Sequence, residues 1–78
     1  MEFKLTFIEA LKSVMEEGMF IRSELMANGI YLKLHNDSLV VADGNNFSVI
    51  ESVFVVSSNS YNAKWCVFTV ANKKNLGL

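Results

Sequence analysis

His35 is the only histidine of the chain and Cys66 the only cysteine. That alone excludes much chemistry. One histidine cannot build a two-histidine metal site, and one cysteine cannot supply a zinc cluster or an internal disulfide. A Ser–His–acid triad would have to use His35, which stands beside the Asn36-Asp37 turn signal. An exposed hairpin histidine accounts for it without catalysis. Cys66 lies in the apolar run Trp65-Cys66-Val67-Phe68, the setting of a buried thiol rather than of the accessible, electropositive site a reactive one needs. Asp37 and Asp43 flank a hairpin, where turn formation explains both. The glycines at 18, 29, 44 and 77 are isolated, so no phosphate loop or dinucleotide fingerprint exists. The expectation is a binding protein, not an enzyme, and no cofactor.

The residues able to recognise a ligand are few. Arg22 offers a planar fork of donors to a phosphate, or else forms a surface salt bridge with Glu24 or Glu51. Tyr31 can stack on a base or pack at an interface. Trp65 anchors a core or contacts a ligand with its indole. Ser58, Asn59, Ser60 and Asn62 present short donors and acceptors to a base edge or ribose, although helix capping and turn formation use the same groups. The methionines from Met15 to Met26 are simplest as core filler.

The elements that would hold these groups follow from pattern. Thr6-Phe7-Ile8-Glu9 fits a capping box. Phe7, Ile8, Leu11, Val14 and Met15 then recur on one helical face, and Gly18 supplies a stop, which predicts a helix over about 7–17. Met19 to Arg22 reads as a short strand, and Asn28-Gly29 as a turn. Ile30 to His35 and Ser38 to Asp43 form a predicted hairpin. Phe47 to Val56 reads as one bent strand or two short ones. Ser57 to Ser60 starts a helical turn through Ala63, and Lys64 to Val70 is the last strand. Its two apolar faces call for cover on both sides, by the helix on one and by a sister subunit on the other. The fold class is therefore α+β: one N-terminal amphipathic helix packed on a twisted antiparallel sheet of four to six strands. Residues 1–71 make one domain and 72–78 a polar tail.

Bulk properties narrow the partners. The net charge of −1 provides no basic face for a nucleic-acid backbone, so long nucleic acid is excluded as a partner. No apolar run approaches the ~18 residues of a membrane span, and the start Met1-Glu2-Phe3-Lys4-Leu5 does not read as a signal peptide, which implies no membrane and a cytoplasmic protein. Apolar residues make up 51% of the chain. A chain of this length buries only roughly 60% of its unfolded surface, so the surplus predicts self-association.

Three segments together resemble one family. Phe7-Ile8-Glu9-Ala10-Leu11 with Gly18 and Ile21-Arg22 is similar to its opening motif. Asn28-Gly29-Ile30-Tyr31-Leu32 is similar to its Gly-apolar-aromatic-Leu strand. Ser60-Tyr61-Asn62-Ala63-Lys64-Trp65-Cys66-Val67 is similar to its closing motif. The family is that of the small phage-encoded Thoeris anti-defence proteins of the second type, with their anti-CBASS relatives. The resemblance implies a homodimer or homotetramer that sequesters a cyclic nucleotide or an ADP-ribose-derived immune signal without cleaving it. It further implies a ligand site drawn from Arg22, Leu25, Asn28, Gly29, Tyr31, Ser58, Asn59, Ser60, Asn62 and Trp65. Two positions depart from the family pattern. Leu25 replaces a usual tryptophan, which removes a base-stacking surface of about 1–3 kcal/mol. Lys64 stands before Trp65 where the family has an acid. The alternative reading is a protein–protein inhibitor or assembly module acting on a host protein.

Overall fold

The computed structural model describes residues 2–44, 50–69 and 75–76. The Thr6 hydroxyl accepts the Glu9 backbone N–H, and the Glu9 carboxylate accepts the Thr6 N–H, so the capping box is complete. Helix α1 (Phe7–Glu17) begins there and ends at Gly18, whose φ of 66° is left-handed and suits a residue without a Cβ. Phe7, Ala10 and Val14 are its buried stripe. Ile8 and Met15 were expected on that stripe, yet both are more than half exposed. The stripe turns toward Ala10 because a methyl group lets the helix lie close to the sheet.

Five strands follow: β1 (Phe20–Ser23), β2 (Ile30–His35), β3 (Ser38–Asp43), β4 (Ile50–Val53) and β5 (Trp65–Phe68), with a short helix α2 (Ser58–Asn62) before the last. They form one antiparallel sheet in the order β4-β3-β2-β1-β5. The α+β class and the helix-on-sheet arrangement are thus as expected. The β2–β3 turn holds Asn36 and Asp37 at φ 49° and 64°, the doubly left-handed geometry of a tight two-residue hairpin. Short polar side chains tolerate that region best. Strand β1 starts and ends one residue later than predicted, and β5 is narrower than Lys64–Val70 on the N-terminal side. Phe47 to Val49 and Val70 lie outside the described residues.

The sheet has two apolar faces. On the helix side Phe7, Ala10, Val14, Ile21, Leu32 and Trp65 form the main core. Trp65 is fully buried, with its ring 5.1 Å from Phe7 and 6.2 Å from Phe54. On the other side Tyr31, Ala42, Cys66, Phe68 and Leu76 form a second cluster, joined by Phe3 and Phe20. Where a sister subunit was expected on this face of β5, the chain's own Phe3 and Leu76 pack against it. Leu76, read from sequence as part of a polar tail, is fully buried. Its carbonyl accepts the Gly29 N–H at 2.9 Å, and a Cβ on Gly44 would meet the Leu76 side chain and, at 2.8 Å, the Gly29 carbonyl oxygen. The Leu76 side chain fills the space that a side chain on residue 44 would take.

Thr6→Ala removes one half of the cap and is expected to cost about 1 kcal/mol, within ~0.5–2. The bonds from Thr6 hold the Glu9 carboxyl below its ordinary value of 4.5. Glu9 thus stabilises the fold above that value, and its contribution is lost as pH falls through the lowered folded value. Denaturant midpoints across that range check both. A Thr6→Ala midpoint equal to wild type would mean that the helix starts elsewhere.

Candidate binding site

Strand β1 points Ile21 into the main core, so alternation sends Arg22 to the opposite face. There it is buried, only 4% exposed. Its Nε donates to the Ile30 carbonyl at 3.2 Å. One terminal nitrogen donates to the carbonyls of Met26 and Ala27 at 3.3 and 3.2 Å. The Phe3 ring lies 5.8 Å from the guanidinium carbon, a cation–π contact. The expectation of a surface salt bridge to Glu24 is corrected, since the partners of Arg22 among the described groups are backbone carbonyls; the Glu51 side chain lies outside the described residues. Three of its five N–H donors are thereby engaged by the loop between β1 and β2 and by the first residue of β2.

That loop is consequently well held. Ser23 is buried, its hydroxyl accepts the Leu25 N–H, and its carbonyl accepts the Met26 N–H. Ala27 accepts the Ile30 N–H. Gly29 closes the loop at φ 93°, a conformation that side-chain-bearing residues rarely adopt. Glu24 then ties the loop to the entry of β5. Its N–H donates to the Lys64 carbonyl at 3.1 Å, and its carboxylate accepts the Lys64 N–H at 2.7 Å. Sequence reading missed this link, because forty residues separate the pair and no local pattern marks it.

On the far side of Lys64, the Ser57 hydroxyl caps α2 by accepting the Ser60 N–H at 3.3 Å. The Ser60 carbonyl accepts the Trp65 indole N–H at 2.8 Å. For Ser60 the capping and turn role is realised. Ser58, Asn59 and Asn62 remain exposed.

The predicted site residues therefore divide in two. Leu25, Asn28, Ser58, Asn59 and Asn62 are exposed on segments that meet at one end of the sheet, joined through Glu24 and Lys64. Arg22, Gly29, Tyr31 and Trp65 are buried, with Tyr31 and Trp65 in the clusters on opposite faces of the sheet, and Ser60 is half-buried. Tyr31 packs against Phe20 and Phe68 at ring distances of 5.2 and 6.1 Å, within its own chain rather than at an interface. Burial, and then the Asp43 charge, push its hydroxyl above the usual value of 10.0. Burial likewise raises the Cys66 thiol, against a smaller opposing pull from Arg22, and keeps it protonated.

An open groove of about 410 Å³ lies elsewhere, along β5, lined by Glu2, Lys4, Leu5, Asn75 and Cys66 to Phe68. Among the described residues no group of three or more His, Cys, Asp and Glu side chains is placed to hold a metal ion. Nor is any helix among them long and apolar enough to cross a membrane. The chain matches no protein-family model, no curated protein and no solved structure.

Arg22→Ala should destabilise the fold by roughly 2–4 kcal/mol, since it leaves the carbonyls of Met26, Ala27 and Ile30 without their charged donor. Lys should restore only part, because a point charge cannot span three acceptors as a fork does. Urea midpoints for the three proteins give the answer. A loss under 0.5 kcal/mol for Arg22→Ala would mean that the loop does not depend on this side chain.

Proposed function

We propose that the chain is a phage-type anti-defence protein that binds and sequesters a nucleotide-derived immune signal, cyclic or ADP-ribose-like, as a cytoplasmic homo-oligomer and without cleaving it. The observation that carries this reading is the joining of its two recognition segments. The loop after β1 and the stretch before Trp65 are far apart in sequence, and Glu24 and Lys64 bind them to each other. The resemblance to the Thoeris anti-defence family assigns recognition to the same two segments. A loop fixed in advance loses little conformational entropy when a ligand binds.

The roles within the site then differ from the simplest reading. Arg22 is a positioning residue beneath the loop. Lys64, exposed where the resembled family carries an acid, supplies the positive charge for a phosphate. Asn28, Asn59 and Asn62 offer amides to a base or ribose. Leu25 gives an apolar contact in place of an aromatic stack. A second reading, inhibition of a host protein, draws support from Leu25 and Tyr61, which are 64% and 54% exposed.

The test is a panel of cyclic dinucleotides, cyclic trinucleotides and ADP-ribose derivatives, each mixed with protein, desalted, and released by heat. One member should be retained and recovered at unchanged mass, and Lys64→Glu should weaken its retention at least tenfold. Recovery of a cleaved product would make the protein an enzyme. Retention of no member, with a host protein captured instead, would favour the second reading.

A further inference from the structure

The two edges of the sheet are finished differently. At β5, Leu5 pairs with Trp65 and exchanges hydrogen bonds with it, and the exposed Lys4–Glu2 ion pair stands beside that bridge. Charge and a covering segment are the usual guards of an edge strand. At β4 no segment covers the edge among the described residues, and the strand's one charged residue is Glu51. The sequence from Ser52 to Ala63 contains no charged residue and no proline. Val53 pairs with the buried Val40 on its inner side, yet it is 63% exposed, and Val55 is 80% exposed.

The backbone register adds a geometric constraint. The Phe54 N–H donates to the Leu39 carbonyl at 2.8 Å, so the groups of Phe54 face β3. Alternation then turns the N–H and C=O of Val53 outward, and a second copy that extends the strand past its end at Val53 would pair those of Val55 on the same side. Phe54 packs on the helix side against Phe7, which leaves the two valine side chains together on the other face. This edge is complementary to itself. A second strand laid antiparallel about Phe54 sets Val53 opposite Val55 of the other copy, and Val55 opposite its Val53. Each such pair exchanges both backbone hydrogen bonds, and the four valines lie in one apolar row.

We propose that β4 is the self-association surface of this protein: two copies join edge to edge about a twofold axis at Phe54, making one continuous sheet. The occupant is a second copy because in this register Glu51, the one charged residue of β4, falls opposite Ser57 of the other copy and no like charges meet, whereas the opposite edge carries Lys4 and Glu2. A like-with-like contact also closes as a dimer, where β4 on β5 would propagate as a filament. The inference deepens the homo-oligomer part of the proposed function and rests on that reading for no more than this.

Two charge variants and one cross-link test it. Wild type should run by light scattering at twice the 8.8 kDa chain mass, or at a higher even multiple. Val53→Lys with Val55→Lys places like charges opposite each other across the axis and should halve that mass while circular dichroism stays unchanged. Val53→Lys with Val55→Glu places opposite charges there and should restore it. Should the double lysine variant fail to fold, a mixture of Val53→Cys chains and Val55→Cys chains decides, since the proposed register requires a mixed disulfide on oxidation. A monomeric wild type, a double lysine variant of undiminished mass, a Lys/Glu variant that stays monomeric, or no mixed disulfide would each overturn the interface. Nucleotide retention measured on the same samples separates the two ideas. A monomer that still retains its nucleotide sinks the edge alone, and a twofold dimer that retains none sinks the ligand.

Discussion

The structure turns on one buried cation. Arg22 is the chain's single arginine, on a strand next to the middle of the sheet, with its side chain away from the helix. A charge removed from water is costly unless polar groups replace its hydration. Here the carbonyls of Met26, Ala27 and Ile30 do so, with the face of Phe3 above. Among the described residues no buried side-chain nitrogen or oxygen is left without a partner. The exchange works in both directions. The charge is satisfied only if the loop turns its carbonyls inward, and the loop keeps that shape only if the charge is there. Its outer surface, with Leu25 and Asn28, is shaped by a residue that does not reach it.

A second constraint concerns how so apolar a chain covers itself. Both faces of the sheet are closed within one chain, by α1 on one side and by Phe3, Phe20 and Leu76 on the other. The closure needs close backbone approach at Gly29 and Gly44, where Leu76 docks. What remains exposed is gathered on Leu25, on Tyr61, on the outer side of α1 and at the β4 edge. Among the described residues, part of the apolar surplus that composition implies therefore sits at an edge, on Val53 and Val55, and the rest on α1, Leu25 and Tyr61. The two kinds of surface have different partners: a face is covered by any apolar layer, whereas an edge is completed by another strand.

Local signals in the sequence carried the local structure. The Thr6–Glu9 box and Gly18 delimit α1, Asn36-Asp37 sets the hairpin, and Ser57 caps α2. Each is a short-range rule with one dominant physical cause. For the candidate residues, the face of the sheet was legible but the depth was not. The alternation of β1 and β2 puts Arg22 and Tyr31 on the face opposite Ile21 and Leu32. It does not say that the chain's ends will fold over that face and bury both. Long cations are ordinarily exposed, so nothing local suggested that Arg22 would be satisfied by carbonyls. The Glu24–Lys64 link and the docking of Leu76 join residues far apart in the chain, and no periodicity encodes them. Ile8 and Met15 were misplaced for a different reason. Helical spacing allows a stripe wider than the sheet can cover, and Ala10 decides which side of it lies closest.

The account stands or falls on whether Arg22 holds the loop in solution. Because there is one arginine, its Nε–H gives one resonance in a nitrogen–proton spectrum, free of overlap with any other. The decisive measurement is the hydrogen-exchange rate of that proton, with backbone order parameters for residues 24–29. A bonded, buried guanidinium predicts exchange far slower than that of a free arginine and order parameters near the ~0.85 of rigid backbone. Exchange at the free-arginine rate, with loop order parameters below about 0.6, would contradict it.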